Sequence, residues 1–220
     1  MLSGKVARIG RHYVVEVNAT DCQTGDILVR KQVEAESQQG ILQAVDKLTR
    51  DLRGSLGESL SSIRTFDTPL ERATTSSLPA LRNYTLGNKE LASGSYEQAI
   101  RSFERAIQDD PNFAMAYAKM GQAYDNIDES DNATKCVERA FTLRKGLSRY
   151  ESFYVAARYY ELATGDTTRL IAALEDWKEA YPRDWMPHYD LASDYGDYFG
   201  RFDQGLREAR EAVSLNPERF

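Results

Sequence analysis

Cysteine and histidine are scarce, with two of each in 220 residues. Cys22 falls in an expected turn and Cys136 in an expected helix, with no Cys-x-x-Cys spacing, and His12 and His188 stand isolated. That excludes a zinc site and leaves two free thiols, or one long-range disulfide, as the open readings. No catalytic constellation is present: GxSxG, HExxH, a phosphate-binding P-loop, the kinase glycine-rich loop, HRD and DFG are all missing. The stretch "DNIDESDN" lacks the glycine and closing glutamate of an EF-hand and reads as a turn. The chain is therefore expected to be no enzyme and to need no metal or cofactor. No Lys/Arg run exceeds two residues and the net charge is −6, which speaks against nucleic acid as a partner. No apolar run approaches the roughly 18 residues that span a bilayer, and the start, "MLSGKVARIG", lacks the apolar core of a signal peptide. Taken as it stands, the chain is expected to be cytoplasmic and not membrane-inserted.

What the sequence has instead is repetition. "GSYEQAIRSFERAIQDDPN" opens at Gly94 and a near-copy, "GRFDQGLREAREAVSLNPE", opens at Gly200, 106 residues on. Gly94, Tyr96, Ala99, Phe103, Ala106 and Pro111 recur as Gly200, Phe202, Gly205, Ala209, Ala212 and Pro217. Two weaker copies lie between them, one through Ala133, Val137 and Ala140 and the other through Gly165, Leu170, Leu174 and Pro182. A helix-patterned stretch precedes each copy. The first, "SLPALRNYTLGNKELASG", has Ser77 as a candidate N-cap and Pro79 in its first turn. A second helix follows each glycine-centred turn and stops near the proline.

This pattern resembles the tetratricopeptide repeat, a helical hairpin of 34 residues. The first repeat (80–113) matches at Leu86, Gly87, Gly94, Tyr96, Ala99, Phe103, Ala106 and Pro111. The second (114–147) matches at Tyr117, Met120, Gly121, Tyr124, Ala133 and Ala140. The third (151–184) is degenerate, because Leu170 and Trp177 replace small residues, and its helices are expected to pack less closely. The fourth (185–219) keeps Leu191, Ala192, Tyr195, Gly200, Ala209, Ala212 and Pro217. Small residues allow close helix approach, and large ones fill the gaps between pairs at roughly 1.5–3 kcal/mol each. One pair cannot bury its own face, so neighbours stack into a superhelix with a concave surface. The fold class expected is mainly α, a four-repeat solenoid over 78–220 behind a small α/β segment.

Residues 1–66 are that segment. "GKVARI" and "RHYVVEVNATDC" alternate with a period of two, "TGD" turns, and "ILVRKQVEA" alternates again, which reads as an antiparallel hairpin. "SQQGILQAVDKLTRDLRGSLG" follows as an amphipathic helix through Ile41, Val45, Leu48 and Leu52, with Ser37 a candidate N-cap. The segment resembles part of the amino-terminal domain of the Tol-system β-propeller protein. Its continuation, "LRGSLGESLSSIRTFDTPLERATTSSLPAL", resembles the join to tetratricopeptide repeats in membrane-tethered bacterial Ser/Thr protein kinases, with 67–77 as the linker. A hairpin and one helix cannot cover a sheet, so an open strand edge and an apolar patch are expected near the N-terminus.

The repeat resemblance places binding in the groove lined by the first helix of each pair. Carried onto this sequence, its slots are Tyr84, Asn88, Gln122, Asp125, Asn126, Tyr159 and Tyr189, offering amides and aromatic faces to an extended peptide or a helix. Tyr84, Ser152 and Ala156 stand where the chaperone-tail class has basic residues, which argues against an acidic C-terminal tail as ligand. The 13 tyrosines are read mostly as packing residues. The function expected is a non-catalytic protein-interaction module. Two alternatives stand beside it. One is a sensory or regulatory region of a membrane-tethered Ser/Thr kinase, which would be extracytoplasmic. The other is a scaffold that self-associates through the sheet edge or a repeat end.

Overall fold

The computed structural model describes residues 1–37, 40–59 and 75–217. Most of the expected linker, 67–77, lies outside them. The chain begins with three strands, β1 (Leu2–Ile9), β2 (His12–Thr20) and β3 (Ile27–Ala35), in one antiparallel sheet of that order. The sequence reading paired only two strands; "LSGKVARI" forms a third, turned back through Gly10 in the left-handed region that glycine tolerates. The β2–β3 turn is organised by Asp21, whose Oδ1 accepts the backbone N–H groups of Gln23 and Thr24 at 2.7 and 3.2 Å. These bonds hold its carboxyl below the usual range.

Helix α1 (Ile41–Ser55) lies on the sheet, with Ile41, Ala44 and Leu48 packed on Val15 and Ala35. Its N-cap is Gly40 rather than the expected Ser37; Ser37 Oγ instead accepts the Gly40 N–H at 3.2 Å. α1 rests on β2 and β3. Leu2 and Val6 of β1, opposite Ala19 and Val15 and hence on the same sheet face, stay 65% and 52% exposed.

Eight helices follow among the described residues, in four antiparallel pairs. They are α2 (Leu78–Ala92) with α3 (Tyr96–Asp109), α4 (Ala114–Asp125) with α5 (Ser130–Thr142), α6 (Arg149–Tyr159) with α7 (Thr167–Ala180), and α8 (Trp185–Asp197) with α9 (Phe202–Leu215). Ser77 caps α2 by accepting the Ala80 N–H, and Pro79 sits in its first turn. Leu78 packs against the sheet core, and α2 opens the solenoid.

Small residues fall where paired helices touch. A Cβ on Gly87 would lie 2.6 Å from the Phe103 ring, one on Gly121 2.7 Å from Val137, and one on Gly205 2.5 Å from the backbone oxygen of Ala192. In the third pair the second helix, α7, lacks this device. Leu170, Leu174 and Trp177 are buried completely, and α6 meets α7 over less of its length than the other partners meet. α6 then runs into a π-helical turn, Tyr160–Thr164, before Gly165. Tyr150 and Tyr154 meet Trp177 edge-on at 5.4 and 6.2 Å and fill the wider space.

Candidate functional site

The first helices of the four pairs, α2, α4, α6 and α8, line an open groove of about 740 Å³. α2 contributes Asn88, Leu91 and Ala92, and Tyr96 of α3 closes that end. The middle holds Lys119, Gln122 and Asn126 from α4, and Tyr154 and Arg158 from α6. α8 supplies Trp185, Met186, Tyr189 and Asp190. These positions recur at helical spacing, so each helix turns one stripe to the groove and another to its partner.

Hydrogen bonds fix the middle of the groove. Tyr154 donates its hydroxyl to Gln122 Oε1 at 2.8 Å, which turns the Gln122 amide nitrogen outward as a donor. Asn126 Nδ2 donates to the Gln122 backbone oxygen at 2.7 Å, leaving Asn126 Oδ1 to accept. Lys119 Nζ stands 4.1 Å from the centre of the Tyr154 ring. At the α8 end, Trp185 and Tyr189 meet edge to face at 5.9 Å, with Tyr189 half exposed.

Below this surface lies a charge cluster. Arg158 is buried and pairs with Asp190 and, at 2.7 Å, with Glu161 of the π-helical turn; its Nε has no hydrogen-bond partner among the described residues. Asp194, one turn beyond Asp190 on α8, is 8% exposed. Burial, with Glu161 and Asp190 close by, pushes its carboxyl up to about 7 against the pull of Arg158. Burial raises Asp190 and Glu161 as well, again opposed by Arg158. Three carboxylates, all raised by burial, thus stand around one guanidinium.

Of the residues that the sequence assigned to the groove, the structure brings Asn88, Gln122, Asn126 and Tyr189 together in its lining. Tyr84 lies beneath, 4.8 Å from Phe113 and 5.9 Å from Phe103, and burial raises its hydroxyl. Asp125 is exposed at the end of α4, outside the lining residues. Tyr159 stacks on Phe141 at 3.9 Å. Ala157, buried completely, takes the small-residue place in α6, one position earlier than the repeat spacing puts it. Arg158 consequently takes the groove slot assigned to Tyr159. The signal was present: "LSRYE" forms a capping box, with Ser148 Oγ accepting the Glu151 N–H at 3.2 Å and Glu151 reaching back to the Ser148 N–H at 3.1 Å. That box fixes where α6 starts. Lys119, Tyr154, Trp185 and Asp190 were also missed, because the slot pattern taken from the repeat covers fewer positions than the groove does.

Family profiles for the tetratricopeptide repeat match residues 87–127 and, in a second profile, 114–146. The chain therefore carries tetratricopeptide repeats in α2–α5. A comparison with curated proteins finds no match. Among solved structures the chain is similar to MamA 41-end from Desulfovibrio magneticus RS-1, at 22% identity over 64% of this chain and 77% of that one, with a TM-score of 0.42. It is similar to TTC0263, a thermophilic TPR protein of Thermus thermophilus, at 18% identity over 63% and 75%, with a TM-score of 0.45. YrrB, a TPR protein with an unusual peptide-binding site, is 18% identical over 79% of this chain and 86% of that one, with a TM-score of 0.41.

Proposed function

We propose that this chain is a non-catalytic protein-interaction module that holds an extended peptide or a helix in its concave groove. The observation that carries the reading is the gathering, in one groove, of amide side chains from α2 and α4 with the half-exposed ring of Tyr189 on α8. Amides on Asn88, Gln122 and Asn126 suit a peptide backbone, which offers N–H and C=O groups in alternation. Trp185 and Tyr189 suit an apolar side chain.

The test is an immobilised peptide library probed with the whole chain, followed by fluorescence anisotropy on the peptides retained. Each neutral hydrogen bond is worth about 0.5–1.5 kcal/mol. Asn88→Ala with Asn126→Ala is therefore expected to weaken binding about tenfold while the far-ultraviolet circular dichroism stays unchanged. Equal affinity of wild type and double variant would refute the groove assignment.

Two narrower readings rest on the N-terminal segment. Its resemblance to the segment that precedes repeats in membrane-tethered Ser/Thr kinases supports reading this chain as a regulatory region of such a kinase. An upstream kinase sequence in frame with this one tests that reading. The second reading is strand pairing between copies at β1. The N-terminal amine donates to Thr20 O at 2.7 Å and Thr20 N–H to Met1 O at 2.8 Å, so Met1 and Thr20 form a hydrogen-bonded pair. By alternation, the N–H and C=O groups of Leu2, Gly4, Val6 and Arg8 point away from β2. Gly4→Pro removes one outward N–H and leaves the β1–β2 ladder intact, so it tests strand pairing directly.

A further inference from the structure

The second helix of a pair turns one stripe toward whatever stacks on it. In α3 that stripe runs through Ile100 and Ile107, with the half-buried Tyr96 one turn before Ile100 on the same face. Ile100 is 7% exposed and packs with Met120 and Ala123 of α4, and Ile107 is half-buried against the same cluster. The 106-residue repeat carries those three positions onto Phe202, Leu206 and Val213 of α9. There they are 73%, 51% and 45% exposed, and no described helix lies over them. The fold itself thus shows that this stripe takes a helix.

We infer that the stripe on α9 is a dimerisation surface, covered by α9 of a second copy across a two-fold axis. The charges beside it support that occupant. Asp203 and Arg210 are exposed and seven residues apart, two turns along one flank of the stripe. A two-fold axis in the interface, perpendicular to the helix, keeps each flank on its own side and reverses the chain direction. An antiparallel α9–α9 pair centred near Leu206 therefore sets Asp203 of each copy opposite Arg210 of the other. It also packs Phe202, Leu206 and Val213 of both copies into one apolar seam. A parallel pair, related by an axis along the helices, would carry each flank to the opposite side of the seam and keep Asp203 from Arg210 of the other copy, so the charges select the antiparallel arrangement. This surface is separate from the groove, and the two stand or fall independently.

Sedimentation velocity of the whole chain up to roughly 200 μM reads the equilibrium directly. A reversible monomer–dimer equilibrium is expected. Leu206→Glu raises the dissociation constant at least tenfold without changing the circular dichroism, since an exposed side chain is replaced. Asp203→Arg weakens the dimer, and Asp203→Arg with Arg210→Asp restores it, because the reversed charges meet again across the axis. Gly4→Pro leaves association unchanged. A wild type that stays monomeric, a dimer that survives Leu206→Glu, a dimer that Gly4→Pro removes, or a charge reversal that fails to restore it overturns the inference.

Discussion

Removing the charge of Asp194 should flatten the fall of this fold's stability with rising pH. In the folded chain this carboxyl titrates at about 7, against an ordinary value of 3.8. Between those values the folded chain holds a proton that the unfolded chain has lost, so stability falls as pH rises. The loss begins near pH 4, where the unfolded carboxyl ionises, and is complete above about pH 8, once the folded one has ionised. One pKa unit is about 1.4 kcal/mol, so a shift of about three units amounts to about 4 kcal/mol. At 8% exposure the site has little solvent to screen it. Glu161 and Asp190, also raised, push in the same direction and share part of that total. Asp194→Asn imitates the protonated acid at every pH. In urea denaturation it is expected to exceed wild type by about 1–2 kcal/mol at pH 5 and by about 3–4 kcal/mol at pH 8.5. Both tryptophans lie in the third and fourth pairs, so their fluorescence reports the region concerned. Parallel stability profiles for the two proteins from pH 5 to 8.5 would refute the reasoning, since the buried negative excess would then cost nothing.

Two further outcomes follow from packing. Gly205→Ala puts a methyl 2.5 Å from the Ala192 backbone oxygen, which no rotamer change relieves; a loss of about 1–3 kcal/mol is expected, and a thermal melt with an unchanged midpoint contradicts it. Cys136 is buried, with its thiol pushed up to about 11 first by burial and then by Glu104, whereas Cys22 is exposed. A thiol-specific disulfide reagent at pH 8 should therefore titrate one cysteine in the folded chain and two in denaturant, and two fast equivalents in the folded chain would be the contrary result.

The helical pairs were legible because their signal is steric and repeats. Gly87, Gly121 and Gly205 stand where a Cβ would collide with the partner helix, and collisions of that kind leave small residues at fixed intervals. Cap chemistry was legible for the same reason: Ser77 and Pro79 act only at a helix start. β1 was harder to assign. Its Leu2 and Val6 are exposed, so the alternation of "LSGKVARI" carries no burial to distinguish it from a polar edge. The groove was half legible. Asn88, Gln122 and Asn126 lie in pairs whose spacing is regular and fall in the lining, whereas Tyr84 and Asp125 of the same pairs do not. In α6 it slips by one residue, because length added between α5 and α6 is absorbed before the Ser148–Glu151 box. Slot arithmetic counts residues; a capping box fixes geometry, and geometry decides which side chain faces the groove.

That slip joins the packing to the charge. In the regular pairs a small side chain lets the helices touch, and the groove above them is lined by amides. Where Leu170 and Trp177 take that place the helices part, Tyr150 and Tyr154 fill the gap, and α6 ends in a π-helical turn. A π-helical turn accommodates one residue more than an α-helix over the same length and so rotates the side chains beyond it. Glu161, the second residue of that turn, meets Arg158 there, and Arg158 reaches Asp190 across the groove floor. Arg158, with Lys119 acting on Asp190 as well, offsets the carboxylates at that point, and burial beside Glu161 and Asp190 pushes the carboxyl of Asp194 up. The feature that makes the third repeat a poor match to its own pattern is the one that gives this groove a chemistry distinct from its neighbours.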